Sequence, residues 1–337
     1  MQLNTVKQTP ILITGSHRSG TTWVGNILKQ VPNVYYIHEP LTPNSITRSE
    51  LNTDIWYKYY NPNQKYEQSE KVHNELFKGK YPLSAVFDFK KRLPHTDYRN
   101  PGGIYDGQFD LKYTKWRAAA YLDSIKLKLK GVSENEIIPL IKDPIALTAA
   151  EWLYHTWHTK NVLLIRHPAA FVSSLKRLDW RFNFENFTLQ SDLMERFLEP
   201  FRSQIENPPT DPIDEAALVW TCLTEIILQY KKLYPNWIYI RHEDLSNDPF
   251  NQYRMLFKKL DLPFTKNAEN AIRSTTNTNN SSDVIKKGKV HQLNRDSRAN
   301  ISNWKNRLTA SKINQIKIIT KSTADHFIPM KSGEILK

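Results

Sequence analysis

The chain has 337 residues, 39% of them hydrophobic and 12% aromatic, which excludes a disordered polymer and leaves one or two α/β domains open. Its 47 Lys and Arg against 34 Asp and Glu give a net charge of +13, which favours an anionic partner, and with no dense basic stripe or reader motif that partner is not expected to be nucleic acid. No apolar run approaches the roughly 18 to 20 residues that span a bilayer and the start MQLNTVKQTP lacks a signal-peptide core, so neither stable membrane insertion nor export is expected and a cytoplasmic placement is.

The first element is the apolar run ILIT at 11–14, which reads as a buried strand. It turns at Gly15 and reaches Gly20 before a helix pattern begins. Gly15 to Thr22 fits the phosphate-loop pattern G-x-x-x-x-G-K-[ST] except that Thr21 stands in the lysine position. Glycines let backbone N–H groups converge on an anion, and the helix that follows adds its positive end. Thr21 and Thr22 supply hydroxyls, and Arg18 supplies a fixed guanidinium fork for phosphate or sulfate oxygens. A loop without the lysine is a poor candidate for γ-phosphoryl transfer.

VPNVYYIHEPL carries a second strand, and from about 42 to 120 a long insertion rich in Tyr, Pro, Asn and Lys follows, read as helices and loops over the mouth of a pocket rather than a separate core. Further strands are expected at IIPLI (137–141), NVLLIR (161–166) and WIYIR (237–241), each leading into a helical stretch. The alternation predicts a single α/β domain over 1–337, with a phosphate-loop-type parallel sheet flanked by helices. In such a sheet ligands gather beyond the carboxyl ends of the strands. The residues to watch are therefore Gly15 to Thr22, Lys142-Asp143, Arg166-His167 and His242-Glu243-Asp244.

In NVLLIRHPAAFVSSLKR an arginine, Arg166, ends a strand and Ser174 lies eight residues on, about two helical turns into the next element, so both can reach one phosphate. Ser173 points about 100° away. Pro168 suits a first helical turn. Near the end of the chain, NRDSRANISNWKNRLT follows a polar stretch at about 273–290 that is expected to be a mobile loop. His, Asp and Glu residues do not fall at metal-ligand spacings, so no metal is expected.

These motifs resemble those of the sulfotransferases that use 3′-phosphoadenosine 5′-phosphosulfate (PAPS). S-H-R-S-G-T-T-W is similar to the family's 5′-phosphosulfate loop, Arg166 and Ser174 to its 3′-phosphate motif, and W-K-N at 304–306 to the segment that closes over the donor. The resemblance implies PAPS as co-substrate, held by Ser16, His17, Arg18, Ser19, Gly20, Thr21 and Thr22, by Arg166 and Ser174, and by Arg295, Ser297 and Trp304. Lys286 and Lys287, in KKGK, are the nearest match to the R-K-G triplet of the cytosolic aryl class, and IKDPIAL lacks that class's histidine. The tyrosylprotein and carbohydrate sulfotransferases fit better. In that group R-S-G-T-T is followed by P-x-V and a glutamate, matched here by Pro32, Val34 and Glu39. The resemblance implies Glu39 as base, with Asp143 and His38 as alternatives, and Arg18 at the bridging oxygen. The acceptor, a small molecule or a glycan, is expected near WYKYY (56–60) and DWRFNFENF (179–187), whose aromatics serve equally as core. A kinase or NTPase variant and a non-catalytic PAPS-binding protein are the rival readings; oligomeric state stays open.

Overall fold

The computed structural model describes residues 8–42, 55–81, 111–276 and 301–327. Five strands form one parallel sheet: β1 (Ile11–Gly15), β2 (Val34–His38), β3 (Ile138–Lys142), β4 (Lys160–Ile165) and β5 (Ile238–Arg241), in the order β2-β3-β1-β4-β5. Ile11 lies opposite Leu140 of β3 and Lys160 of β4, so all five carboxyl ends emerge on one edge. β1 is central, and the chain steps from β3 on one side of it to β4 on the other. That reversal opens the crevice where such sheets bind ligands.

The strands are apolar on both faces because helices cover both. Leu12, Tyr35, Ile37, Ile141, Leu163 and Tyr239 point into one core, while Ile11, Ile13, Val34, Leu140, Val162 and Ile238 alternate into the other. The second core is closed by α1 (Thr21–Leu28) and by the later helices Pro249–Lys259 and Lys266–Thr276. On the first face lie helices at 150–157, 168–178 and 212–233, the last of which buries Trp220 and Cys222. Cys222 is thus a buried helical thiol. Among the described residues no helix is long and apolar enough to cross a membrane.

The described part of the insertion has no core of its own. Tyr57, Tyr59 and Tyr60, with Val72, Leu76 and Phe77 of the helix Glu67–Phe77, join the larger core. The long helix Leu111–Leu129 carries the chain past the expected end of the insertion at about 120. The polar loop expected from 273 starts later than its composition implied, because the helix runs on to Thr276. Ala268 and Ile272 bury one face of that helix, and the Trp23 indole N–H donates to Thr275 Oγ1 at 3.0 Å. Burial and this bond outweigh the poor helix propensity of the Ser-Thr-Thr run.

Candidate active site

The loop after β1 is shaped by its backbone. Gly15 has φ 136° and lies so close to β4 that a Cβ there would come within 2.1 Å of the Leu164 carbonyl oxygen. Gly20 has φ 102° and caps α1, and a Cβ on it would meet the His242 ring at 2.7 Å. Both positions exclude any side chain. Between them the Ser19 N–H donates to the Ser16 carbonyl at 3.2 Å, closing the turn. The hydroxyls of Ser16 and Ser19 are buried without a hydrogen-bond partner. Buried hydroxyls normally find one, and in a loop that opens at a helix N-terminus the partner such groups suit is an anion.

Three predicted phosphate ligands come together. Arg18 Nε donates to Ser174 Oγ at 3.1 Å, and Arg166 Nη1 donates to the Arg18 carbonyl at 2.9 Å. The helix Pro168–Leu178 holds Ser174, and Ser173 is buried beside it with no hydroxyl partner. Arg18 therefore turns toward the site expected for the 3′-phosphate. His17, expected among the donor contacts, directs its ring into the core, where Nδ1 lies 2.5 Å from Tyr57 Oη and the ring packs on Phe171 at 4.8 Å. Burial, with the Arg18 charge beside it, lowers its pKa to about 3, so the ring is neutral.

Trp304, in the short turn Asn303–Asn306, stacks on His167 at 4.8 Å with their planes 14° apart. His167 follows Arg166 directly, and its backbone N–H donates to Glu243 Oε1 at 2.9 Å. Glu243 thus braces the end of β4. Burial, with Arg241 and Arg166 nearby, lowers the His167 pKa to about 4. Lys286, Lys287, Arg295 and Ser297 lie outside the described residues.

The other end of the crevice is built by β2 and β3. Glu39 follows β2 with φ 47°, its N–H donates to the Lys142 carbonyl at 2.8 Å, and its carboxylate pairs with Lys142 Nζ. The Lys142 side chain is fully buried while that of Glu39 is 24% exposed, so the carboxylate is the member that solvent or an acceptor can reach. Asp143 is buried, and its two oxygens accept the N–H groups of Leu41 (2.8 Å) and Ile145 (3.1 Å). Burial and then the Glu39 charge hold Asp143 above the usual carboxylate range. His38 is lowered to about 4, by burial and then by Lys142, which leaves it a weak base. Among the described residues no three His, Cys, Asp or Glu side chains gather as a metal cage needs.

A family model described as the sulfotransferase family matches residues 10–266, most of the chain. The chain belongs to the sulfotransferase family. A curated relative of this sulfotransferase, carbohydrate sulfotransferase 1 of Danio rerio, is 22% identical over 381 aligned positions that span 99% of this chain and 81% of that protein. That match lends no support to the cytoplasmic placement expected above. Among solved structures, a sulfotransferase from Mycobacterium avium aligns with a TM-score of 0.44 and 15% identity, over 98% of this chain and 80% of that one. The sulfotransferase domain of the Curacin biosynthetic pathway gives 0.46 and 16%, over 92% and 96%. That of the Synechococcus PCC 7002 olefin synthase gives 0.48 and 14%, over 96% and 97%.

Most of the aromatics at 56–60 and 179–187 take their core role in this sulfotransferase. Tyr57, Tyr59, Tyr60, Phe182, Phe184 and Phe187 are all buried. Trp180 stays partly exposed, with the Arg18 guanidinium 5.6 Å from its ring centroid. What sequence reasoning passed over is the contact of Tyr57, in the WYKYY stretch, with His17, which spans 40 positions of chain. Nothing local to either residue announces it.

Proposed function

We propose that this sulfotransferase takes its sulfonate from PAPS and passes it to a hydroxyl or an amine of a saccharide, a lipid or a small secondary metabolite, with Glu39 as the base. The observation that carries the reading is the meeting of Arg18, Arg166 and Ser174 beside a loop whose buried Ser16 and Ser19 hydroxyls have no partner. These groups fit a donor with an anion at each end. The loop N–H groups, Ser16, Ser19 and Thr22 suit the 5′ end, while Arg166 and Ser174 suit the 3′-phosphate, with Arg295 and Ser297 as further contacts and Trp304 over the site. Arg18 lies within reach of both ends by its place in the loop. Thr21, 4% exposed, adds no cation where a nucleotide kinase keeps one.

PAPS supplies an activated sulfonate with 3′-phosphoadenosine 5′-phosphate as its leaving group. The acceptor oxygen or nitrogen attacks sulfur as the bond to the leaving phosphate breaks, and its proton passes to the Glu39 carboxylate. Lys142 aims that carboxylate from a buried position, and Asp143 fixes the turn that carries it. Arg18 and the loop amides stabilise the charge that grows on the leaving phosphate. The named activity of the Danio rerio relative favours a saccharide acceptor.

The test is calorimetry of the purified protein with 3′-phosphoadenosine 5′-phosphate, ATP with Mg²⁺, and 5′-AMP. The bisphosphate alone binds tightly, and Arg166→Ala weakens it by roughly a hundredfold and Ser174→Ala by about tenfold, in line with a charged and a neutral hydrogen bond. A preference for ATP with Mg²⁺ sinks the donor assignment.

A further inference from the structure

Six residues other than glycine have positive φ in the described chain, and they fall into two groups. His158 and Asp179 cap helix C-termini and Asp261 follows one, where the left-handed conformation ends a helix at little cost. Arg18 (64°), Glu39 (47°) and Tyr57 (57°) end no helix. Each is a strained left-handed L-residue that persists only where its surroundings over-determine it. For Arg18 and Glu39 the reason is the chemistry assigned to them. Tyr57 has no such assignment.

What holds Tyr57 is a clamp on four consecutive residues. Asn186 Oδ1 accepts the Trp56 N–H at 2.9 Å, and Gln190 Nε2 donates to the Tyr57 carbonyl at 3.1 Å. Thr148 Oγ1 donates to the Lys58 carbonyl at 3.0 Å, and Gln190 Oε1 accepts the Tyr59 N–H at 2.7 Å. The clamping residues come from the turn after β3 and from the segment at 186–190, neither of which belongs to the loop. Held so, Tyr57 is wholly buried with its hydroxyl 2.5 Å from His17 Nδ1, one residue before Arg18. His17 is neutral, so its ring shares a single hydrogen with the phenol without adding charge to an anion site.

We propose that Tyr57 is a positioning residue for the donor loop, and that the clamp of Asn186, Gln190 and Thr148 makes the insertion segment 56–59 and the loop one rigid unit. The inference rests on the PAPS reading, and it assigns to the insertion a part in holding the donor as well as facing the acceptor. A clamp residue that touches no phosphate then controls the affinity for one. Through the same linkage, an acceptor that presses on the 56–59 segment changes how tightly the donor is held.

The experiment measures 3′-phosphoadenosine 5′-phosphate binding by calorimetry in the wild-type protein, Tyr57→Phe and Gln190→Met, with thermal melts and the ring signals of ¹⁵N-labelled histidine recorded in parallel. Both variants bind the bisphosphate about three- to tenfold more weakly, the loss expected when one buried hydrogen bond goes. The His17 ring signals move in both, including in Gln190→Met, where the contact itself is intact. Equal binding in all three proteins overturns this inference and leaves the donor reading standing. A wild-type protein that does not bind the bisphosphate removes both. Should Tyr57→Phe fail to fold, Gln190→Met decides alone: unchanged affinity and unchanged His17 signals refute the unit.

Discussion

The two ends of the crevice are built on opposite principles. At the loop Arg18 donates to a serine hydroxyl and Arg166 to a backbone carbonyl, while two buried hydroxyls have no partner. At the β2–β3 edge the charges are matched, Glu39 to Lys142, and both Asp143 oxygens are taken by N–H groups. A site of cations and orphan hydroxyls is completed by an anion. A matched pair with one partly exposed carboxylate has little to gain from a further ion, and the proposed function gives it the movement of a proton. On the proposed function, the difference separates donor holding from acceptor activation along one edge of one sheet.

The strongest way to break that division is to alter one end and read the other. Glu39→Gln keeps the shape and removes the base, so kcat falls by about a thousandfold, within the range measured for general bases, while bisphosphate affinity stays within about twofold of wild type. Arg166→Ala does the reverse, raising donor KM far more than it lowers kcat. Steady-state kinetics beside calorimetry separate the two. A Glu39→Gln variant that loses donor affinity as heavily as Arg166→Ala shows that the two ends are one site.

The loop end was legible in the sequence and the edge only partly, for a physical reason. Gly15, Arg18, Gly20 and Thr22 fall within one short stretch of chain from the end of β1 into α1, and Arg166 and Ser174 are related by helix geometry, so spacing alone places them. Five parallel strands were readable because both sheet faces are covered and each strand is an apolar run. The Glu39–Lys142 pair joins residues 103 positions apart, and Tyr57 reaches His17 across the insertion. Such contacts are fixed by tertiary packing, which no local pattern encodes. The start of the polar stretch at 273 was misread for the same reason, since the burial of Ile272 and the Trp23 bond to Thr275 extend that helix.

Lys142→Met sharpens the comparison at the edge. The fully buried ammonium is replaced by a chain of similar length, which often costs little stability when a buried ion pair is exchanged for apolar packing, though here Glu39 remains and can turn to solvent. Without the ammonium kcat falls by roughly ten- to a hundredfold because the base is no longer aimed. Donor affinity is unchanged. A kcat that Lys142→Met leaves unchanged shows that the ammonium does not aim the base.

The smallest expected effect comes from acid, and it sets the buried imidazoles against the buried carboxylate by sign. His17, lowered to about 3 by burial, and His167, lowered to about 4 by burial beside Arg241, flank the loop in neutral form. Their unfolded counterparts take up a proton near the ordinary histidine value of about 6.5. Below that pH the unfolded chain binds more protons than the folded one, so stability is lost as pH falls from about 6.5 toward 4 and is fully present above 6.5. Asp143 works in the opposite direction: held above its ordinary range, it keeps a proton in the folded state that the unfolded chain has released, and so favours folding in the mildly acidic window. With His38 and His73, also lowered to about 4 by burial, four histidines outweigh one carboxylate, and melts between pH 7.5 and 5 show Tm falling by several degrees. In Asp143→Asn the protective contribution is gone and the fall is steeper. A Tm that rises on acidification shows that the buried carboxylate, not the buried imidazoles, dominates the proton balance of the fold.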